Sequence, residues 1–232
     1  MQTLSDSTYR KLTTLMYDTV GLAFNDSKKP LVASRLAPRI QRLGIGDIDD
    51  CLALIAGPDD GGAFQLAIDL LTTNETYFFR APAHHALIEQ TLARSKPRAL
   101  AVWGAGSSFG DEAYSTAMLL ADLQQQGRIG PDWQILRTDI SDRVLRSAGE
   151  AVYPEDLLRD VSPERLGPFD IIFVRNVLIC FDPPNKSAVV DRALTQLRPG
   201  GLFFIGTAEG RVPCSVALQT VGPGALRKPL AA

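Results

Sequence analysis

Beyond Pro97 the chain alternates short apolar runs with longer amphipathic stretches, and that alternation leaves few architectures open. The runs are Ala99 to Trp103, Gln134 to Thr138, Asp170 to Val174 and Leu202 to Ile205, each with the length and composition of a strand buried on both faces. Helical patterns occupy Asp111 to Gln126, Asp142 to Ala148 and Asn185 to Leu197. Strand followed by helix, repeated, predicts a doubly wound, parallel sheet with its ligand crevice at the carboxyl ends of the strands.

The first third of the chain reads differently. Leu12, Leu15 and Met16 recur at helical spacing, as do Leu31, Leu36, Ile40 and Leu43, with Gly44 as a stop. Asp47 opens a further helical stretch with Leu52, Leu54 and Ile55, and the Gly57-Pro58 turn separates it from a helix around Phe64 to Leu71. The expected organisation is a small all-helical domain over residues 1–71, a linker over 72–97, and an α/β domain over 98–232. The stretch after Gly206 has scattered Gly and Pro, with strand-like content only at Val216 to Val221.

Composition narrows the function classes. The 232 residues carry 24 Lys and Arg against 26 Asp and Glu, a formal charge of -2, which offers no global attraction for a nucleic acid backbone. Cys51, Cys180 and Cys214 are odd in number and far apart, unlike a disulfide framework or a zinc cluster, and the two histidines, His84 and His85, are adjacent, so they cannot share a helix face as metal ligands. No metal is expected. No stretch has the length of a bilayer span and the amino terminus lacks a secretory pattern, so the expected location is cytoplasmic, without membrane insertion.

The chemistry concentrates after the first strand. Gly104, Ala105 and Gly106 begin a glycine-rich turn that ends at Gly110 and enters the helix at Asp111 and Glu112. Glycines let the backbone turn tightly against a nucleoside. The spacing is not that of a dinucleotide fingerprint, and acids at the helix start repel phosphate while attracting an ammonium or sulfonium group. A nucleoside with a cationic tail, S-adenosylmethionine, suits this pattern. Asp139, at the end of the second strand, is the candidate for the ribose hydroxyls, with capping of the next helix as its other role. Arg35, Arg39 and Arg42 fall on one helical face, where they can either steer an acidic partner or form a solvated surface.

Three segments together resemble the chemotaxis receptor glutamate methyltransferases of the CheR type. They are Thr72-Thr73-Asn74-Glu75-Thr76-Tyr77-Phe78-Phe79-Arg80, Trp103 to Ser115, and Phe169 to Asp182 with Arg175-Asn176 at its centre. They stand in family order behind a helical domain. The resemblance implies an all-helical domain followed by a Rossmann-like, S-adenosylmethionine-dependent methyltransferase domain with a reduced parallel sheet. It implies methyl transfer from S-adenosylmethionine, leaving S-adenosylhomocysteine, to glutamate side chains on the cytoplasmic helices of chemoreceptors. The implied cofactor set is Asn74, Thr76, Arg80, Gly104, Ala105, Gly106, Glu112, Asp139, Arg175 and Asn176, with Arg80 also orienting the acceptor carboxylate. Arg35, Arg39 and Arg42 correspond to the family's receptor-facing basic face, whereas His84 and His85 are read as helix-start residues outside the site.

Two departures stand out. Between Tyr153 and Phe169 the family carries a longer insert, a β-subdomain and a further strand, for which there is no room here. The expectation is a shortened member without receptor-peptide tethering; the alternative is a catalytically weakened receptor-binding module of the same fold. Cys180 stands where the family has a tyrosine; it reads first as a buried core cysteine, and second as a smaller, weaker donor near the transferred methyl whose consequence would be slower turnover.

Overall fold

The computed structural model describes residues 4–44, 48–57, 62–150, 169–210 and 212–230. They divide into two compact units. The first comprises residues up to Thr73 with Ile140–Arg143 and Cys180–Asp182; the second comprises Asn74–Asp139, Val144–Ile179 and the chain from Pro183 onward.

Four helices build the first unit: α1 (Asp6–Val20), α2 (Lys29–Leu43), α3 (Ile48–Ile55) and α4 (Ala63–Leu71). Helix α1 starts where the Ser5 hydroxyl accepts the Thr8 amide and stops where Gly21 turns left-handed at φ 75°. Its buried stripe, Tyr9, Leu12 and Met16, meets Val32, Leu36 and Ile40 of α2, Cys51 and Ile55 of α3, and Ala67, Ile68 and Leu71 of α4. Gly44 ends α2 at φ 64°, as expected for a glycine stop. Two residues counted with the apolar faces point outward instead: Leu31 is exposed and Val32 takes the buried place, and Leu54 is exposed beside Ile55. Neighbouring positions on a helix differ by about 100°, so a one-residue change in stripe assignment exchanges core for solvent. The Cys180 side chain packs against this helical core and its carbonyl accepts the Ala23 amide at 3.0 Å.

The second unit is a six-stranded sheet in the order β2-β1-β3-β4-β6-β5. The parallel strands are β1 (Ala99–Ala105), β2 (Asp132–Thr138), β3 (Phe169–Val174) and β4 (Leu197–Ile205). Helices α5 (Pro82–Ser95), α6 (Asp111–Gln125), α7 (Asp142–Glu150) and α8 (Pro183–Thr195) accompany them. The sheet is larger than the four strands expected. Strands β5 (Gln219–Gly222) and β6 (Ala225–Arg227) fold back as a hairpin, with β6 antiparallel to β4, so the sheet is mixed rather than purely parallel. At four and three residues these strands are too short to show a two-residue period.

The 72–97 segment, expected as a linker, contains α5, whose Ile88 and Leu92 are buried in the core beneath the sheet with Val102, Leu120, Ile171, Phe173 and Phe204. Phe173 and Phe204 stack with centroids 5.0 Å apart, and burying each ring contributes about 1.5–3 kcal/mol. Among the described residues, no helix is long and apolar enough to cross a membrane.

Candidate active site

Strand order sets the location. β1 is flanked by β2 on one side and β3 on the other, so the crossovers leave it in opposite directions and a crevice opens at the carboxyl ends of β1 and β3. There β1 runs into Gly104, Ala105 and Gly106. Gly106 has φ 73°, and a Cβ on it would lie 2.3 Å from Val177 Cγ2, so no side chain fits. The amides of Gly106 and Ser107 both donate to the Thr138 carbonyl, at 2.8 and 3.0 Å. The Ser108 amide donates to Asp139 Oδ2 at 2.9 Å, and the Ser108 hydroxyl donates to the Asn74 carbonyl at 2.8 Å. One loop thus brings Asn74 and Asp139 together.

Glu112 lies in the first turn of α6. Its Oε2 accepts Arg175 Nη1 at 2.7 Å, and the two side chains are only 14% and 5% exposed. The other oxygen faces the loop: a Cβ built on Gly104 would lie 3.8 Å from Glu112 Oε1. Burial pushes the Glu112 carboxyl above its ordinary value, while the charges of Arg175 and then Arg80 oppose that shift. The Arg175 side chain therefore sits inside the protein, where Nη2 also donates to the Arg80 carbonyl at 2.9 Å.

Arg80 occupies a costly piece of backbone. Phe79 and Ala81 on either side have φ 52° and 56°, left-handed values that cost a non-glycine residue about 1 kcal/mol or more. Three bonds hold this turn: Phe79 N to Ser115 Oγ at 2.8 Å, Arg175 Nη2 to Arg80 O, and His84 N to Ala81 O at 2.9 Å. Arg80 is half-buried; its guanidinium lies 5.6 Å from the Tyr77 ring centre and donates to Glu75 O at 3.1 Å. Thr76 is half-buried in the same irregular segment.

Asn176 follows Arg175 with φ 60°, a conformation asparagine tolerates better than most residues. Its neighbour across the crevice is Gly206, where a Cβ would lie 3.1 Å from the Asn176 amide. The buried Glu209 carboxylate accepts the Leu178 amide at 2.8 Å and the Gly206 amide at 2.5 Å, tying the loop after β4 to the loop after β3.

Sequence reasoning overlooked Ser108, Ser115 and Glu209. None of the three left a local signal: Glu209 accepts the Gly206 amide three residues back, but glycine has no side chain to complete a capping box. His84 and His85 are buried in α5, with His84 Nε2 bonded to the Pro223 carbonyl at 2.7 Å and the His85 ring 5.5 Å from that of Phe79. In the helical unit, Arg35 is committed to the end of α4: it donates to the carbonyls of Leu71 and Thr72 at 2.9 and 3.1 Å and to the Thr73 hydroxyl at 3.1 Å. Arg42 is exposed, and the Arg39 side chain lies outside what is described. Among the described residues, no group of three or more His, Cys, Asp or Glu could hold a metal ion.

The family described as "CheR methyltransferase, SAM binding domain" matches residues 74–169 and 162–217, and "CheR methyltransferase, all-alpha domain" matches residues 7–72. The chain belongs to the CheR methyltransferase family. Relatives agree: the chemotaxis protein methyltransferase of Klebsiella aerogenes is 33% identical over 246 residues, covering 89% of this chain and 84% of that protein. The Escherichia coli protein of the same name is 32% identical over 246 residues, with 89% and 85% covered, and chemotaxis protein methyltransferase 1 of Vibrio cholerae is 31% identical over 270 residues, with 97% and 98% covered. The matched spans are longer than this chain's 232 residues can fill, so these relatives carry residues that the chain lacks within the aligned region.

As a member of the CheR family, the chain is an S-adenosylmethionine-dependent methyltransferase, and its second unit is the cofactor-binding domain. The residues present fit that cofactor. The space beside Gly104 is bordered by Glu112 Oε1, and the Ser107 hydroxyl is buried without a hydrogen-bond partner among the described residues.

Proposed function

We propose that this enzyme methylates glutamate side chains on the cytoplasmic helices of chemoreceptors. The observation that carries the reading is the chain of contacts from Glu112, which borders the glycine loop, through Arg175 to the backbone of Arg80, itself a half-buried residue. In this reading Asp139 holds the ribose hydroxyls, Glu112 attracts the cofactor's ammonium group, and Asn74, Thr76, Gly104 to Gly106 and Asn176 shape the rest of the pocket.

When bound, S-adenosylmethionine supplies a methyl group on a positively charged sulfur, whose bond to carbon breaks with its electron pair as the acceptor oxygen forms the new C–O bond. A glutamate acceptor is already ionised at neutral pH, so the enzyme needs no general base. Its work is placement. The planar Arg80 guanidinium can take a carboxylate in two contacts, and holding the partners in attack geometry supplies on the order of 7–11 kcal/mol of barrier reduction. The exposed rings of Tyr77, Phe78 and Phe79 around Arg80 offer an apolar border that would displace water from the acceptor.

The stretch between Tyr153 and Phe169, which the sequence makes too short for the family's insert, lies outside the described residues apart from Phe169. Its consequence is recognition of the receptor without a tethered carboxy-terminal peptide. On the helical unit, receptor contact falls to the basic face of α2, with Arg42 exposed and Arg35 bracing the end of α4.

The test is transfer of radiolabelled methyl to receptor-containing membranes, followed by mild alkali. Alkali-labile label, released as methanol, is the signature of a carboxyl ester. Stable label would mean another acceptor, and no transfer by protein that binds S-adenosylhomocysteine would favour the receptor-binding module.

A further inference from the structure

Arg175 bonds to both halves of the site at once. Its Nη1 meets Glu112 Oε2 at 2.7 Å and its Nη2 meets the Arg80 carbonyl at 2.9 Å, while the residue is 8% exposed. The rest of Glu112 is turned toward the glycine loop through Oε1, and the Arg80 turn is strained on both sides by left-handed residues. A strained turn needs its restraints in place to hold one geometry.

We propose that the Arg175 side chain is a positioning residue through which cofactor binding at Glu112 fixes the Arg80 turn for the acceptor. This inference rests on the cofactor reading given above. A cation arriving at Glu112 Oε1 favours the ionised carboxylate, and an ionised carboxylate holds the Arg175 guanidinium harder than a neutral acid does. Because the fork is planar, fixing Nη1 on Glu112 also fixes Nη2 on the Arg80 carbonyl. Two discrete contacts on one rigid group make the coupling physical, and it is reciprocal: an acceptor held at Arg80 tightens the cofactor by the same factor. Ser115 pins the same turn through the Phe79 amide, and its own hydroxyl donates to the Asp111 carbonyl rather than to a charged group, so it supports the turn without relaying charge.

Amide hydrogen exchange of the full chain, followed for the segment from Thr76 to Ala81 with and without S-adenosylhomocysteine, tests the relay without any acceptor. The expected result is slower exchange on ligand binding in the wild type. Arg175→Lys keeps a charge for Glu112 but cannot reach both partners. At saturating S-adenosylhomocysteine it is expected to lose the ligand-induced slowing, and to lose tenfold to a hundredfold in kcat at saturating cofactor. Ser115→Ala is expected to speed exchange of the segment in both states while the ligand still slows it. Equal slowing in Arg175→Lys, or loss of the response in Ser115→Ala with Arg175 intact, would overturn the relay. Binding to wild type without any slowing would overturn it alone, whereas failure of wild type to bind would overturn the cofactor reading beneath it.

Discussion

The Ser108 amide donates to Asp139 Oδ2 at 2.9 Å, so the candidate ribose acid is held by the loop that leaves the neighbouring strand. Its carboxylate is placed by backbone rather than by a flexible partner, which is the arrangement a pocket acid needs to meet a ligand without reordering. Asp139→Asn separates charge from geometry, because an amide oxygen can still accept from Ser108. The expected outcome is a folded protein whose affinity for S-adenosylhomocysteine falls about tenfold, the worth of one charge-assisted hydrogen bond. Calorimetric titration measures it, and unchanged affinity would remove Asp139 from the cofactor site.

Cofactor affinity should also depend on pH through Glu112. Burial raises this carboxyl above the usual glutamate range, with Arg175 opposing, and only the ionised form attracts the ligand's ammonium group. Acidification protonates Glu112, so affinity for S-adenosylhomocysteine is expected to fall as pH drops, starting at a higher pH than an ordinary glutamate would allow. Glu112→Gln should bind more weakly and lose this dependence. A parallel pH profile in the two proteins would assign the titration to another group.

The loops at the crevice are joined by a residue with no predicted role. Glu209 accepts the amides of Leu178 and Gly206 from a buried position. Removing the carboxylate in Glu209→Ala leaves two inward-facing donors without partners, an expected loss of about 2–4 kcal/mol in unfolding free energy by urea denaturation. Glu209→Gln keeps one acceptor oxygen and should recover part of that loss. Equal stability of all three proteins would show that water satisfies both amides.

How much of this was legible depends on the range of each contact. The β1 strand, the glycine turn and Glu112 are contiguous, so local pattern and charge pointed to them. Arg175 was legible only as part of a motif; its buried guanidinium, bonded 63 residues away to Glu112 and 95 residues away to Arg80, is a product of the fold. Ser115 and Glu209 act across 36 and 31 residues and carry no periodic signature. Cys180 was legible first as a core cysteine, and its partly buried side chain does pack on the helical core; its place near the reaction came only from the family resemblance. Strand content at Val216 to Val221 was legible and overlaps β5 (Gln219–Gly222), whereas the three-residue β6 and the antiparallel pairing with β4 hold too little pattern to read.

Acid should destabilise the sheet unit through its two histidines. His85 is buried, and burial foremost, with the nearby Arg175 and His84 charges, brings its pKa down to about 4 against the opposing effect of the Ala81 backbone. His84 shifts in the same direction, chiefly by burial, although its bond to the Pro223 carbonyl opposes the shift. The unfolded chain takes up protons near pH 6.5 and the folded protein does not, so the folded state binds fewer protons between those values. Stability is therefore complete above about pH 6.5 and is lost as pH falls toward 4, by on the order of 2 kcal/mol from His85. His85→Leu removes the titrating group. It is expected to unfold in urea with a flatter pH dependence than wild type between pH 7 and 4.5, while keeping its stability at pH 7 within about 1.5 kcal/mol. An unchanged slope would mean that other groups govern acid unfolding, and a large loss at pH 7 would mean that the His85 ring is bonded in the native protein.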